Sequence, residues 1–338
     1  MSNFALGTQI LYYDGTIKSV EDVKVGDILM GEDNNPRNVL ELYQNKEEMY
    51  EIIPNKGNKY TVSHSHRLVL VCTGHNDIKK GTKVIISMND YLNKSKTWKI
   101  RFKLFRSLGI EWKTKEVEIE PYLLGLWIGD GTSKEPEITN IDKEILIYCK
   151  EYAETNNLRF IAKGSSISYR FSAKPTYKNV LLNSLRKYNL LGNKHIPFEY
   201  KITSRENRLE LLAGIIDTDG CINMKGYDII LKIENLIDDI VFISRSLGFS
   251  AYKKKCNKSC MYKGEKRVGT YYRCMIYGKG VEEIPCKIIR KQINDNSTRN
   301  KDNLVSGFSV NNVGEKEYYG LRINEDKPFL LESFDVVK

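Results

Sequence analysis

Two segments with the same apolar pattern constrain the fold of this chain most strongly. Residues 123–131 have the sequence LLGLWIGDG and residues 211–220 the sequence LLAGIIDTDG, so each apolar run ends in Asp-Gly. The spacing of the apolar residues predicts a buried helix in both places. The carbonyl end of a helix is partially negative, so a carboxylate there is disfavoured. Taken singly, Asp130 and Asp219 are typical turn residues, but the matched pair indicates a shared function.

Small residues on both predicted helices indicate how they pack. Gly125 in the first, and Ala213 with Gly214 in the second, allow two backbones to approach closely, ridge into groove. The two carboxyl ends then bring Asp130 and Asp219 together. Carboxylates beside helix carbonyl ends are oxygen ligands suited to Mg²⁺, with Mn²⁺ as a possible substitute. Paired metals can activate water and stabilise the leaving oxygen in phosphodiester cleavage.

The fold class that follows is α+β. The Asp14-Gly15 turn predicts a hairpin, residues 60–71 alternate as one strand, and three short strands are expected after residue 303. Helical spacing predicts helices at residues 143–158, 179–191 and 236–249, with strands at 166–173, 227–235 and 269–278 between them. We therefore predict a β-rich domain, residues 1–115 and 303–338, interrupted by a duplicated domain, residues 116–302. Its repeats are about residues 116–200 and 201–302.

The charge balance favours a polyanionic partner. Lys and Arg outnumber Asp and Glu by 53 to 43, giving a net charge of +10. One basic tract, residues 79–115, also contains Trp98, Phe102 and Phe105, which suits a surface that follows phosphates or, alternatively, a solvated basic face over core aromatics. A second basic tract spans residues 253–273. The residues expected to contact DNA are Lys94, Lys96, Lys99, Arg101, Lys103, Lys163, Ser165, Ser168, Arg170, Lys174, Tyr252, Lys254, Lys255, Arg267 and Arg273.

The two Asp-Gly segments resemble the paired LAGLIDADG motifs of intein-type homing endonucleases. The resemblance implies two pseudo-twofold αββαββα-like repeats, and a monomer that cuts double-stranded DNA at a long asymmetric site using Mg²⁺. It assigns Asp130 and Asp219 to the metals, and we include Gly129 and Thr218 as ligands.

The same resemblance implies two lysines. The motif NKHIP gives Lys194, and IPCKIIRKQ gives Lys291, with Lys287 as the alternative. Such a lysine can polarise the attacking water or stabilise the phosphate in the transition state. Asp217 has no acidic counterpart in the first segment, where Ile128 stands, so we interpret Asp217 as structural.

The outer segments resemble the Hint splicing domain of inteins. Residues 3–31 resemble its first block, residues 65–70 the block that carries a histidine, here His66, and residues 317–337 its last two blocks. Asn3 occupies the place of the Cys or Ser nucleophile, and an amide cannot replace it. Lys327 or Pro328 stands where a histidine is usual, and the sequence VVK at Lys338 replaces the terminal His-Asn. Asn3 and His66 are therefore expected to be vestiges of splicing.

Two other functions remain open. The chain could bind DNA without cutting it, or be an intein whose splicing has been blocked. Zinc is not expected, because Cys256, Cys260, Cys274 and Cys286 are too widely spaced for a structural site. The scattered cysteines and the lack of a long apolar run favour an intracellular protein without a membrane partner, nuclear if the host is eukaryotic.

Overall fold

The computed structural model describes residues 2–75, 78–164, 166–262, 265–294 and 302–338, with the side chains of residues 260–267 left aside. The chain forms two compact units. Met1–Ile110 and Lys301–Lys338 make up the first, and Glu111–Asn300 make up the second. Of the described helices, none has both the length and the apolar character needed to cross a bilayer.

The first unit consists mainly of strands. They are β1 Ser2–Ala5, β2 Gln9–Leu11, β3 Ile17–Ser19, β4 Ile28–Met30, β5 Pro36–Pro54, β6 Tyr60–Ser63, β7 Arg67–Cys72, β8 Lys83–Ser87 and β9 Phe102–Phe105. Two short helices, α1 Met88–Leu92 and α2 Lys96–Arg101, precede β9. The predicted hairpin at Asp14-Gly15 is confirmed, because β2 and β3 pair antiparallel around it.

Two predictions for this unit are wrong in detail. Residues 60–71 form two strands rather than one, because the His66 backbone N–H donates to the Ser63 carbonyl and turns the chain between β6 and β7. Two of the predicted tail strands are one continuous strand, β18 Phe308–Ile323, which pairs with both β1 and β5. Long antiparallel partners on both sides keep this strand extended across its polar middle.

The second unit alternates helices with strands. Its elements are α3 Pro121–Asp130, β10 Glu137–Thr139, α4 Lys143–Thr155, β11 Leu158–Ala162, β12 Ser168–Ala173, α5 Val180–Lys187, α6 Phe198–Lys201, α7 Arg205–Asp219, β13 Gly220–Asn223, β14 Gly226–Leu231, α8 Glu234–Ser246, β15 Ser250–Tyr262 and β16 Glu265–Tyr277. A 3-10 turn, Ile289–Lys291, follows. The first-unit strands β17 Val305–Ser306, β18 Phe308–Ile323, β19 Phe329–Leu330 and β20 Val336–Val337 complete the chain.

Two sheets flank the helices of the second unit. Their strand orders are β10-β12-β11 and β13-β14-β16-β15. The α4 and α8 helices pack beside β11 and β15 respectively, and one continuous apolar core includes residues of α3, α4, α7 and α8. Two of these helices, α3 and α7, pack directly against each other and carry the predicted Asp-Gly ends.

Two glycines set the separation of α3 and α7. A Cβ atom on Gly125 would lie 2.4 Å from the Leu211 carbonyl oxygen, and one on Gly214 would lie 2.2 Å from the Tyr122 carbonyl oxygen. No side chain fits at either position, so the predicted close approach of the two backbones is confirmed. Their parallel course toward a common end follows from this contact and positions the candidate site.

Candidate active site

The carboxyl ends of α3 and α7 place Asp130 and Asp219 side by side. Each is the last residue of its helix, and a glycine follows each. A Cβ atom on Gly129 would overlap the Thr218 side chain and lie 3.1 Å from Asp219 Oδ2, so only a glycine fits between the helix ends. The predicted meeting of the two carboxylates is therefore observed, and it depends on the small residues that the sequence provides.

Both carboxyl groups are unfavourable as isolated anions. Burial raises the pKa of Asp130, and the charge of Asp219 raises it further, against a hydrogen bond of 2.7 Å from Asn140 Nδ2 to Asp130 Oδ2. Asp219 is accessible to solvent, yet the protein atoms packed around its carboxylate displace enough water to raise its pKa as well. A cation near the pair would relieve both effects.

Two lysines cap the helix ends. Lys194 Nζ donates to the Ile128 carbonyl at 2.9 Å and to the Gly131 carbonyl at 2.6 Å. Lys291 Nζ donates to the carbonyls of Ile216, Asp217 and Thr218 at 2.9, 2.8 and 3.1 Å. These ammonium groups offset the partial negative charge of the last carbonyls, which makes a carboxylate at each helix end tolerable.

The alternative lysine lies elsewhere. Lys287 Nζ sits over the rings of Tyr122 and Tyr148, 4.8 and 4.9 Å from their centroids. It makes none of the carbonyl contacts that Lys194 makes, whereas Lys291 repeats them on the other helix. Lys291 is therefore the structural counterpart of Lys194.

The lysines and carboxylates are arranged crosswise. Burial lowers the pKa of Lys194 to about 8, and Asp219 opposes that shift more strongly than Asp130 does. Burial also lowers the pKa of Lys291, which the charge of Asp217 opposes most strongly and that of Asp130 less. Asp130 is nevertheless stabilised as an anion more by Lys291 than by Lys194, and Asp219 more by Lys194 than by Lys291, which gives two centres, Asp130 with Lys291 and Asp219 with Lys194.

The donor set suits a hard cation. Besides the carboxylates, the Gly129 and Thr218 carbonyls lie at the helix ends, where they accept hydrogen bonds from Lys194 at 3.4 Å and from Lys291 at 3.1 Å. All of these groups are oxygens, and each carbonyl keeps a second lone pair. Within the described part of the chain, no group of three or more His, Cys, Asp or Glu side chains could hold a metal ion.

The sheet beside α8 carries the second basic tract. Lys254 lies opposite Arg273 in the β15–β16 register, so both side chains project from one face. Arg273 also binds Asp228 through two hydrogen bonds of 2.7 and 2.9 Å from its Nε. Tyr252 shares this face by its position in the strand. Strand alternation places Lys255 on the opposite face, near Glu234 of α8, which departs from the expected grouping with Lys254.

Lys258 joins this arrangement, although the sequence did not single it out. It follows Lys254 by four residues, on the same face of β15, and its charge favours the ionised form of Asp219. The face that carries Lys254 and Arg273 therefore continues toward the two carboxylates. Strand alternation along the basic tract could have predicted that Lys258 shares a face with Lys254. No feature of the sequence could have predicted that Asn140 contacts Asp130. Arg267 lies among the side chains left aside.

Some of the residues between 163 and 174 that are expected to contact DNA bind acidic side chains instead. Arg170 pairs with Glu135, and Lys163 Nζ lies 3.2 Å from Glu137 Oε2. The Ser168 hydroxyl hydrogen-bonds the Thr139 hydroxyl at 2.7 Å, and Lys174 is half-buried after β12. Ser165 falls outside the described residues.

The first basic tract has exposed cations, whereas its aromatic rings are half-buried or buried. Lys94, Lys96 and Arg101 are exposed, whereas Lys103 is half-buried and Lys99 Nζ donates to the Leu92 carbonyl at 2.7 Å. The rings of Trp98 and Phe102 stack with centroids 3.9 Å apart, and Phe102 is fully buried. Phe105 is half-buried beside Lys83, 5.2 Å from its ring centroid. Phe102 belongs to the core and Trp98 packs against it, so the alternative of a basic face over core aromatics fits these two rings, whereas contact of the surface with DNA stays a prediction.

Asn3 and His66 meet in the interior of the first unit. The Asn3 backbone N–H donates to His66 Nδ1 at 3.1 Å. The Asn3 side chain donates to the Ser63 and Ser65 hydroxyls at 3.0 and 2.8 Å and accepts from the Tyr43 hydroxyl at 3.1 Å. Burial lowers the pKa of His66 to about 3, so its ring is neutral near pH 7. All polar atoms of the Asn3 side chain are thus engaged, and it offers no nucleophile.

Two family models match separate parts of the chain. Residues 3–121 match a family model described as Hom_end-associated Hint, and residues 195–300 match one described as Homing endonuclease. A mesophilic variant of the homing endonuclease I-DmoI has a TM-score of 0.30 and 14% identity, covering 52% of this chain and 98% of the variant. The MchDnaB-1 intein has a TM-score of 0.19 and 26% identity, covering 20% of this chain and 52% of the intein.

Two curated relatives match different lengths of the chain. The replicative DNA helicase DnaB of Mycobacterium intracellulare is 36% identical over 136 residues, which are 40% of this chain and 20% of the helicase. The homothallic switching endonuclease of Saccharomyces cerevisiae is 28% identical over 256 residues, which are 64% of this chain and 43% of that enzyme. The chain spans less than half the length of either relative. The two family models thus identify a Hint region of the kind associated with homing endonucleases at residues 3–121 and a homing-endonuclease region at residues 195–300.

Proposed function

We propose that this chain is a site-specific endonuclease that hydrolyses both strands of DNA in the presence of Mg²⁺. The observation that carries the proposal is the pair Asp130 and Asp219, held together at two helix ends with raised pKa values and one half-buried lysine beside each. A packing role alone gives no reason to gather two carboxylates there. The homothallic switching endonuclease, whose name states this activity, supports the same class of reaction.

The residues of the site have distinct roles in this proposal. Asp130 and Asp219, with the carbonyls of Gly129 and Thr218, would hold Mg²⁺ or Mn²⁺, which supplies an activated water and stabilises charge on the leaving oxygen when bound. These protein oxygens are few, so a bound ion would have room for oxygens of the scissile phosphates as well. Lys194 and Lys291 are held by helix carbonyls, and their ammonium groups can stabilise charge that develops on the phosphate.

The sheets supply the DNA-binding surface. The β15–β16 face that carries Lys254, Lys258 and Arg273 adjoins the Asp219 centre, and strands can place alternate side chains in the major groove. We infer that Arg170 and Lys174 serve the same purpose on β11–β12. Because two different halves lie in one chain, a monomer can bind a long asymmetric site. The exposed Lys94, Lys96 and Arg101 of the first unit extend the contacts to DNA phosphates.

We also infer the origin of the two units. Residues 116–302 form the endonuclease domain, with repeats of about residues 116–200 and 201–302, and residues 1–115 with 303–338 form the Hint domain that it interrupts. The Asn3 side chain lies where splicing requires a nucleophile and is bound on every polar atom. Splicing is therefore lost, and Asn3 and His66 are vestiges of it.

Cleavage of a plasmid library that contains randomised inserts tests the proposal. Discrete linear products with Mg²⁺, and none with Ca²⁺, are expected from the wild type, and their ends give the recognition site. Asp219→Asn should abolish the products while retaining DNA binding, and Asp238→Asn, an exposed carboxylate of α8, should leave them unchanged. Retarded but uncut DNA with either metal would favour a binding protein instead.

A further inference from the structure

The turn that carries Lys291 contacts Asp217 of α7 at both of its ends. Asp217 Oδ2 accepts a hydrogen bond of 2.6 Å from the Lys287 backbone N–H, at the start of the turn. At its end, Lys291 Nζ donates to the Asp217 carbonyl at 2.8 Å. Asp217 therefore fixes both ends of this five-residue segment and, with it, the position of the Lys291 ammonium group.

The Asp217 side chain is unusual for a packing residue. It is 1% exposed, the Tyr122 hydroxyl donates to the same Oδ2 at 2.6 Å, and Oδ1 has no hydrogen-bond partner among the described residues. A buried carboxylate with an unsatisfied oxygen costs free energy that an apolar side chain would avoid. The equivalent position of α3 holds such a residue, Ile128, which is 3% exposed. Packing between the helices thus does not require the acid.

The segment that carries Lys194 is supported from other elements. Ile128 cannot accept a hydrogen bond through its side chain. Instead, the Gly192 backbone N–H donates to the Ser133 carbonyl at 2.6 Å, and the Ile196 backbone N–H lies 3.4 Å from Asp239 Oδ2 of α8. Similar contacts of Lys194 and Lys291 with the helix ends are therefore achieved by unrelated supports.

Additional contacts hold the Lys291 turn on its other sides. Arg290 binds Asp142 through two hydrogen bonds of 2.6 and 2.9 Å, and the Tyr227 hydroxyl donates to the Lys291 carbonyl at 2.9 Å. The Asp142 backbone N–H in turn donates to Asn140 Oδ1 at 2.7 Å, and Asn140 Nδ2 donates to Asp130 Oδ2. The Asp130 and Lys291 centre is therefore the more extensively hydrogen-bonded of the two.

We propose that Asp217 is a positioning residue that holds Lys291 at the Asp130 centre, so that the two strands of DNA are cut by centres with separate supports. The inference rests on the proposed endonuclease function. Loss of the Asp217 carboxylate releases the start of the turn, displaces Lys291 and leaves Lys194 in place. Cutting of one strand then slows while the other continues, and nicked DNA accumulates.

Strand-resolved cleavage tests this arrangement. With the two strands carrying different fluorescent labels, Asp217→Leu should slow one strand at least tenfold more than the other and convert supercoiled plasmid to nicked circles. Asp217→Asn keeps an oxygen for the Lys287 N–H and should recover most of the lost rate, which a purely electrostatic role of the carboxylate would not permit. Asp239→Asn alters the α8 contact with the segment that carries Lys194, and it should not slow the same strand selectively. Equal slowing of both strands by Asp217→Leu would overturn the proposal.

A second readout needs neither metal nor DNA. Acetylation of lysines with an N-hydroxysuccinimide ester, quantified by peptide mass spectrometry, should label Lys291 several-fold faster in Asp217→Leu, relative to Lys194, than in the wild type. An unchanged ratio would overturn the positioning role. A changed ratio in a protein that cuts no DNA with Mg²⁺ or Mn²⁺ would support the positioning of Lys291 and refute the endonuclease proposal, so the two failures are distinguishable.

Discussion

At the scale of single residues, the site consists of charges held where each alone would be unfavourable. Asp130 and Asp219 stand at the negative ends of two helices. Lys194 loses hydration against the last carbonyls of α3, and Lys291 against those of α7. At Asp130, burial and the charge of Asp219 outweigh the favourable effect of the two lysines. Removing the Asp130 charge should therefore change stability and function in opposite directions.

Asp130→Asn is expected to stabilise the metal-free protein and abolish its cleavage activity. Because the folded pKa of Asp130 is raised, the ionised carboxylate opposes folding above that pKa, and the penalty disappears as the pH falls below the ordinary value. The amide removes the penalty at neutral pH, so Tm should rise by roughly 2–4 °C, the effect of about 1 kcal/mol in a domain of this size. Calorimetry with and without Mg²⁺ measures this, and Mg²⁺ should stabilise only the wild type. A lower Tm for the variant would contradict the prediction.

Lys194 should give cleavage a pH dependence. Its folded pKa is about 8, below the ordinary value, so the ammonium form predominates below that pH and is lost above it. We expect the single-turnover rate to fall as the pH rises through about 8. Lys194→Arg stays charged and should lack this decline, while Lys194→Met should be slow at every pH. A wild-type rate that is flat between pH 7 and 9 would remove Lys194 from charge stabilisation.

At the scale of elements, the α3–α7 contact determines whether the site exists. Gly214→Ala places a Cβ atom 2.2 Å from the Tyr122 carbonyl oxygen, and backbone on both sides leaves little room to move. Overpacking of this kind should lower the free energy of unfolding by about 3 kcal/mol and greatly reduce cleavage. Urea denaturation measures the first effect. Asn235→Ala, on the exposed surface of α8, is the control that should leave stability unchanged within about 0.5 kcal/mol.

The β15–β16 pair offers a test in which the two variants are neighbours. Lys254 and Lys255 are both exposed but project from opposite faces of the sheet. Lys254→Ala should weaken DNA binding several-fold and reduce the salt dependence by about one ion, because one phosphate contact is lost. Lys255→Ala should change neither quantity. Fluorescence anisotropy titrations at several salt concentrations measure both, and equal effects of the two variants would place the interface elsewhere.

At the scale of the whole molecule, the first unit should contribute to DNA affinity but not to the chemical step. Replacing Lys94, Lys96 and Arg101 together with Ala removes three exposed cations without touching the Asp130 and Asp219 pair. Affinity for a long duplex should fall at least tenfold at moderate salt, while the rate at saturating protein stays within about twofold. Binding curves and single-turnover cleavage separate the two effects. A slower saturated rate would mean that the first unit also shapes the site.

The sequence alone was enough to identify α3 and α7 and the Asp-Gly ends at which they meet. Apolar spacing and the small residues Gly125 and Gly214 are local signals, and they predicted both the α3–α7 contact and the meeting of Asp130 with Asp219. The hairpin at Asp14-Gly15 was predictable for the same reason, since a turn depends on residues adjacent in the chain. Such features are encoded over ten or fifteen residues, within the range that periodicity can detect.

Tertiary structure alone decided which more distant side chains reach that place. Lys291 rather than Lys287 caps α7, Asn140 binds Asp130, and Asp217 holds a turn 70 residues further along the chain. The surface that each strand or helix buries likewise decides that Trp98 and Phe102 pack toward the core. It also decides that Lys254 and Lys255 project from opposite faces of the sheet. Composition cannot report a direction in space, because the packing of distant segments sets it.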